Sequence, residues 1–109
     1  MQILLKMTSF FYITSKNLFE AKTIMKSLLK KKLVACVNIY KNTDSYFLWK
    51  NKIQNSNEII IMGKTLKKNE SKIISEVKKN HSYDTPCIIF SKITNGNKDF
   101  LSWIKKSVK

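Results

Sequence analysis

Residues 81–87, which read His-Ser-Tyr-Asp-Thr-Pro-Cys, hold the side chains of this chain that are best suited to chemistry. They include its only histidine, its only proline and one of its two cysteines. An imidazole and a thiol six residues apart suit three roles: binding a soft metal ion, forming a redox pair, or ending a helix before a strand. The elements on either side of residues 81–87 must decide between these roles.

Strand-like and helix-like segments alternate along the chain. Strands are predicted at residues 3–14, 33–40, 58–65 and 86–94, with extended structure at 45–49 between a break at 42–44 and a polar turn at 54–57. Helices are predicted from a capping box at Asn17 and Glu20 to the lysines at 30–32, over 67–80, and from Lys98 onwards. Residues 81–87 therefore join a helix to the last strand.

This order of elements predicts an α+β fold, a ferredoxin-like β-α-β-β-α-β sandwich with an added C-terminal helix. The first and third strands then lie in the centre of the sheet, and Cys36 and Cys87 lie at opposite edges. Three strand spacings separate those edges by roughly 14 Å, whereas a disulfide needs Cα atoms within about 7 Å. A thiol site shared by both cysteines is therefore predicted only between chains that associate edge to edge.

Length and composition predict one folded domain over residues 1–109. The chain is 43% hydrophobic and 26% charged, which argues against disorder. No stretch approaches the roughly 18 to 20 apolar residues that cross a bilayer, and residues 3–13 lack the features of a signal peptide. We therefore expect a cytoplasmic protein whose cysteines are reduced thiols.

The net charge of +14 raises the question of nucleic-acid binding, but all 21 basic residues are lysine. Fourteen isoleucines and ten asparagines accompany them, which is the residue usage of an AT-rich genome. A site for phosphate or guanine would favour arginine, because its planar fork matches those groups. Any nucleic-acid binding is therefore expected to be non-specific and sensitive to salt.

Several segments in one order resemble the CutA divalent-cation tolerance proteins, and the resemblance covers nearly the whole chain. The matching segments are residues 33–39, Ser45-Tyr46, Trp49 with Lys52-Ile53, Lys64-Thr65, residues 81–86, and Gly96 with Phe100-Leu101 and Trp103. The resemblance implies a ferredoxin-like cytoplasmic homotrimer that is linked to tolerance of copper and other divalent cations. It also implies an architecture similar to the PII signalling proteins, which bind small ligands in clefts between subunits.

This chain departs from the family pattern at three positions. Asn51 stands where the family usually has glycine, and asparagine tolerates left-handed backbone angles. Ser82 replaces a proline, and Cys87 replaces an acidic residue. Because sulfur and imidazole favour Cu(I) or Zn(II), we hypothesise that His81 and Cys87, with Cys36 of a neighbouring chain, bind a soft metal. The expected ion is copper or another divalent cation.

Structural interpretations of the same residues stay open. His81 at a helix end is suited to complement the helix dipole, and buried cysteines often act as small hydrophobic groups. Tyr83, Asp84 and Lys64 are candidate residues of a ligand cleft. The residues expected to anchor the core or the subunit contacts are the large Trp49, Tyr46 and Trp103, together with Pro86.

An enzymatic function is not expected. With one histidine and no Gly-x-Ser-x-Gly motif, phosphate loop or clustered carboxylates, the sequence offers no set of nucleophile, base and orienting group. An RNA-recognition motif shares this order of elements, but it stacks bases on aromatic residues of the third strand. Residues 59–63 of this chain read Ile-Ile-Ile-Met-Gly and contain no aromatic residue.

Overall fold

A four-stranded antiparallel sheet is the frame of the computed structural model, which describes residues 2–109. The strands are β1 (Thr8–Ser15), β2 (Val34–Trp49), β3 (Lys52–Leu66) and β4 (Ile88–Lys92), and the helices are α1 (Gln2–Met7), α2 (Leu18–Lys30), α3 (Glu70–Lys79) and α4 (Lys98–Ser107). A 3-10 turn, Lys67–Asn69, precedes α3. The strand order is β2-β3-β1-β4. The predicted α+β class, with its central first and third strands, is confirmed.

Helices α2 and α3 cover one face of the sheet and form the main core with it. Helix α2 begins at Asn17, whose side chain accepts a hydrogen bond from the Glu20 amide at 2.8 Å, as the capping box predicts. The buried residues of this core alternate along the strands and recur at helical spacing: Phe11, Ile13, Ala21, Ile24, Leu28, Val34, Ile59, Ile61, Ile73 and Val77. This layer fixes the positions of the strand ends that flank residues 81–87.

The other face of the sheet is covered only at one end. Because side chains alternate along a strand, Leu66 points away from the main core, and it packs against Leu101 and Ile104 of α4. Beyond that contact lies a set of partly or fully exposed apolar side chains, which we call the open face: Phe10, Tyr12, Tyr40, Ile60, Met62 and Ile89. The open face is an unpartnered apolar surface on the described part of the chain.

The hairpin of β2 and β3 extends well past the rest of the sheet. Ser15, the last residue of β1, pairs with Ile59, so residues 52–58 pair with β2 alone. We call this two-stranded projection, residues 41–57, the arm. Its apolar side chains face solvent, with Tyr46 69% exposed and Ile53 76% exposed. The arm stretches the molecule to 46 Å in its longest dimension.

Three sequence predictions about this region and the N-terminus were wrong. Residues 2–7 form α1 rather than the start of a strand, because Thr8 already pairs with Leu66 at the end of β3 and earlier residues have no partner. The predicted turn at 54–57 is paired strand, and the chain turns instead at Lys50 and Asn51, whose φ angles are 51° and 64°. The predicted break at 42–44 is an irregularity in continuous β2, with Asn42 at φ 57°.

Two elements are shorter in the structure than the sequence predicted. Only residues 88–92 of the predicted last strand, 86–94, pair with β1. The predicted helix over 67–80 begins as the 3-10 turn and becomes α-helical at Glu70. By contrast, the left-handed backbone expected at Asn51 is confirmed. The later start of β4 lengthens the connection between α3 and β4, which carries the candidate site.

Candidate functional site

His81 is locked by two hydrogen bonds at the start of the connector, residues 81–87. Its side chain is completely buried. The ring Nδ1 accepts the Tyr83 backbone N–H at 3.2 Å, and Nε2 lies 2.6 Å from the Thr14 carbonyl oxygen. A neutral imidazole with its proton on Nε2 satisfies both bonds. His81 therefore ties the connector to β1, and it would bind a metal only after one of these bonds broke.

Glu20 holds the connector from the side of α2. Its carboxylate accepts hydrogen bonds from the Ser15 hydroxyl at 2.5 Å, the Lys16 amide at 3.1 Å and the Ser82 amide at 2.7 Å. Burial opposes ionisation, but the hydrogen bonds from Ser15, Ser82 and Lys16 outweigh it and lower the pKa of the Glu20 carboxyl to about 2. The ionised Glu20 carboxylate of α2 therefore links the end of β1 to the connector through hydrogen bonds.

Tyr83 joins the connector to β3. Its hydroxyl donates to the carboxylate of Glu58 at 3.0 Å, and its ring lies 4.8 Å from that of His81. Burial and the hydrogen bond to Glu58 raise the pKa of Tyr83 to about 12. The phenol is therefore protonated at neutral pH and serves as a donor, not as a base.

Cys87 ends the connector beside the same carboxylate. The residue is half-buried, and burial together with the negative charge of Glu58 raises the pKa of its thiol. A thiol in this environment stays protonated at neutral pH, which makes it a poor nucleophile. Glu58 and Cys87 nevertheless place a carboxylate and a sulfur in one corner of the fold.

Cys36 lies far from that corner, at the opposite edge of the sheet. It is on β2, paired with Lys64 of β3, whose ammonium donates to the Asn38 side chain at 3.3 Å. Strands β3 and β1 separate β2 from β4, so the predicted separation of the two cysteines at opposite edges is confirmed. Both cysteines are free thiols.

The predicted metal residues do not meet within one chain. No group of three or more His, Cys, Asp or Glu side chains among residues 2–109 is arranged to hold a metal ion. A site formed by His81, Cys87 and Cys36 would need a second chain to bring Cys36 to the connector. That site remains a prediction.

The residues of the predicted ligand cleft likewise do not lie together in a single chain. Tyr83 contacts Glu58, which directly precedes the part of β3 that pairs with β1. Asp84 is exposed next to Tyr83. Lys64 lies six residues further along β3, which corresponds to about 20 Å of extended chain. Tyr83, Asp84 and Lys64 would line one cleft only if a neighbouring chain supplied the lysine.

The large side chains that were predicted as anchors stay outside both hydrophobic cores. Tyr46 and Trp49 lie on the arm, where Trp49 is 62% exposed. Trp103 is exposed on α4 and stacks on Phe100 with ring centroids 5.3 Å apart. Pro86 is half-buried in the connector. The two tryptophans and Tyr46 were predicted to anchor either the core or the subunit contacts. Their exposure excludes a place in the chain's own core.

Sequence reasoning missed Glu58 and recognised only half of the role of Glu20. Glu20 was identified as a capping residue, and its contact with the connector spans 62 residues, so no local pattern reports it. Glu58 was read simply as the start of a strand. The sequence indicates this role only through the position of Glu58, a carboxylate directly before the apolar residues 59–62. In the fold, that position places Glu58 at the edge of the core.

Comparison with known proteins finds an archaeal and a bacterial relative of similar length. A Divalent-cation tolerance protein CutA of Archaeoglobus fulgidus is 45% identical over 94% of this chain and 99% of its own length. Its structure, described as a periplasmic divalent cation tolerance protein, has a TM-score of 0.89 and covers 94% of this chain and 100% of that one. The relative from Thermotoga maritima is 33% identical over 89% of this chain and 95% of its own length.

A eukaryotic structure and a family model agree with these relatives. The crystal structure of CutA1 from Oryza sativa has a TM-score of 0.91 at 33% identity and covers 94% of both chains. The family model described as CutA1 divalent ion tolerance protein matches residues 9–107, which include the connector and all four strands except Thr8, the first residue of β1. The chain therefore belongs to the CutA1 family of divalent ion tolerance proteins.

Proposed function

We propose that this protein acts in divalent-cation tolerance as a cytoplasmic homotrimer that binds copper or another divalent cation at clefts between its subunits. Family membership supports the general role. The observation that carries the proposal is the large apolar surface left without a partner on a single chain, on the open face and along the arm. Such surfaces mark interfaces between protein chains.

Closure of a ring accounts for both edges of the sheet. Strands β2 and β4 are the two edges, and an exposed edge offers unpaired backbone groups to other chains. A heterologous contact between β2 of one subunit and β4 of the next, repeated around a threefold axis, leaves no free edge. A thiol site shared between subunits requires this contact to bring Cys36 of one subunit to the connector of its neighbour.

The corner where Cys87 of the connector meets Glu58 of β3 is the place best suited to a cation. Burial and the negative charge of Glu58 both disfavour a bare thiolate there. A metal ion beside Glu58 would reverse that effect, because its positive charge stabilises both the carboxylate and the ionised sulfur. One sulfur and one carboxylate are too few for a tight site, so ligands from the neighbouring subunit must complete it.

Copper and zinc are the metals that a sulfur ligand favours. The thiolate shifts preference toward Cu(I) or Zn(II) and away from Mg²⁺ or Mn²⁺, and copper is the metal that we test. Within this proposal, His81 positions the connector while its two ring nitrogens stay bonded to the chain. The role is binding, and we propose no catalytic step.

Copper titration of single-cysteine variants tests the site. We expect Cys87→Ser to lose copper binding, and Cys36→Ser to weaken it if the neighbouring subunit contributes that sulfur. Binding by Cys87→Ser equal to that of the unaltered protein would reject the connector as the site. Sedimentation equilibrium of the same samples checks that each variant keeps the mass of three 12.8 kDa chains.

A second candidate is a PII-like trimer that binds a small molecule at the same clefts and holds no metal. The bonded state of both His81 nitrogens and the raised pKa of the Cys87 thiol favour it, because neither group is a ready ligand in the isolated chain. A trimer that purifies free of metal and ignores added copper would favour this second function.

A further inference from the structure

We infer that the chain has a second binding site, for a small organic anion with an apolar body, in a groove that we call the basic groove. The groove lies where β4 ends, between α1, the start of β1 and the turn before α3. Its volume is about 670 Å³, inside the range of about 300 to 1,000 Å³ that small-molecule sites occupy. It is at the opposite end of β4 from the connector, so it is separate from the proposed cation site, and it lies beside the β4 edge that the proposed trimer joins to β2 of a neighbouring subunit.

Positive charge converges on this groove from three separate segments. Lys6 of α1, Lys67 of the 3-10 turn and Lys92 of β4 all line it. None of these ammonium groups forms an ion pair with a carboxylate in the part of the chain from residue 2 to residue 109. The one carboxylate in the lining, Glu70, accepts a hydrogen bond from the buried Ser9 hydroxyl at 2.6 Å. Cations therefore outnumber anions around the groove.

Helix electrostatics explain other lysines of the chain but not Lys67. Lys78 and Lys79 lie in the last turn of α3, where the helix dipole favours cations. Lys67 lies before the start of α3, where the dipole opposes a cation, and Glu70 in the first turn of α3 compensates the positive end of that helix. The three lysines, and not the helix end, therefore supply the positive potential that favours a bound anion in the groove.

The rest of the lining gives the ligand its second property. Leu5, Phe90 and Ile93 present apolar side chains to the groove between the lysines. A bare inorganic anion would leave that surface in contact with water, whereas an organic anion would bury it. The chemical class that fits is therefore a carboxylate or phosphate ester with a short hydrocarbon body.

Titration of the full-length protein with octanoate, followed by amide NMR shifts, tests this inference. We expect saturable shifts at Ser9, Glu70 and Ser91, and little response to octan-1-ol, which has the same chain without the charge. The double variant Lys67→Gln/Lys92→Gln should weaken octanoate binding about tenfold. The matched variant Lys72→Gln/Lys78→Gln removes the same charge from exposed positions on α3 and should bind octanoate normally.

Three results would overturn the inference. Octan-1-ol binding as well as octanoate would show a merely apolar groove. Equal weakening in both double variants would show an effect of net charge alone. Shifts that do not saturate, or that fall outside the groove, would show no site at all.

Discussion

The Tyr83 hydroxyl donates a 3.0 Å hydrogen bond to Glu58, which joins the connector to β3 at the point where the arm leaves the sheet. Glu58 is buried and also raises the pKa of the Cys87 thiol. One carboxylate therefore orders the tyrosine, adds to the effect of burial on the pKa of the Cys87 thiol and marks the base of the arm. The geometry of the candidate cation site depends on this contact.

Removing the Tyr83 hydroxyl should destabilise the protein. In Tyr83→Phe the buried Glu58 carboxylate loses its phenol donor, and we expect a loss of about 1 to 3 kcal/mol in the free energy of unfolding. Urea unfolding at a fixed protein concentration measures it, because the stability of an oligomer depends on concentration. Stability equal to that of the unaltered protein would contradict the proposed role of the contact.

Stability should fall in acid as Glu20 becomes protonated. The pKa of Glu20 is about 2 in the fold against an ordinary value of 4.5, so its contribution is complete above pH 4.5 and is lost as the pH falls toward 2. We expect a loss on the order of 2 kcal/mol across this window. Glu76, which Lys31 and Ser27 also hold near a pKa of 2, titrates in the same range.

The comparison that isolates Glu20 is therefore the unaltered protein against Glu20→Gln. We expect Glu20→Gln to be less stable at pH 7 and to lose less stability between pH 4.5 and 2, by urea unfolding at each pH. Parallel pH profiles for the two proteins would show that Glu20 has no such role.

Gly63 should tolerate no side chain. A Cβ atom there would lie 2.1 Å from the Cys36 carbonyl oxygen and 2.5 Å from the Phe11 ring, so backbone and core would both have to move. We expect Gly63→Ala to lose about 3 kcal/mol or more. Gly96→Ala, whose Cβ would meet only Leu101 at 3.4 Å, should change stability by less than about 1 kcal/mol. Thermal unfolding of both variants checks the contrast, and similar melting temperatures would refute it.

Charges on the arm should separate the subunits without unfolding them. Leu48 and Ile53 are exposed and paired across the hairpin. We expect Leu48→Lys/Ile53→Lys to elute as a smaller species by light scattering while keeping its circular dichroism spectrum. Phe19→Lys, on α2 and 82% exposed, is the control and should stay assembled. An arm variant with the mass of the unaltered protein would place the interface elsewhere.

The sequence predicted the framework because short-range rules govern it. The cap at Asn17, the left-handed Asn51 and the strand order each follow from local chemistry or from topological rules, and all three are found. The N-terminal helix was missed because Leu4 and Leu5 suit either a strand or a helix, and only the lack of a strand partner decides between them. The hairpin turn was misplaced because polar residues at 54–57 resemble a turn when they are in fact paired.

The candidate site was predictable only in part, for a different reason. The chemistry of His81, Tyr83 and Cys87 is visible in the sequence, but their partners are remote. His81 contacts Thr14 across 67 residues, and Tyr83 contacts Glu58 across 25. Contacts of that range follow from the folded topology and leave no pattern in a single sequence.

Native mass spectrometry of the protein with and without copper tests the central claim most directly, because it reports the assembly and its metal together. We expect an assembly of three 12.8 kDa chains that carries copper, and a trimer of Cys87→Ser that carries none. A single-chain species, or a trimer that binds the same amount of copper with serine at position 87, would contradict the claim.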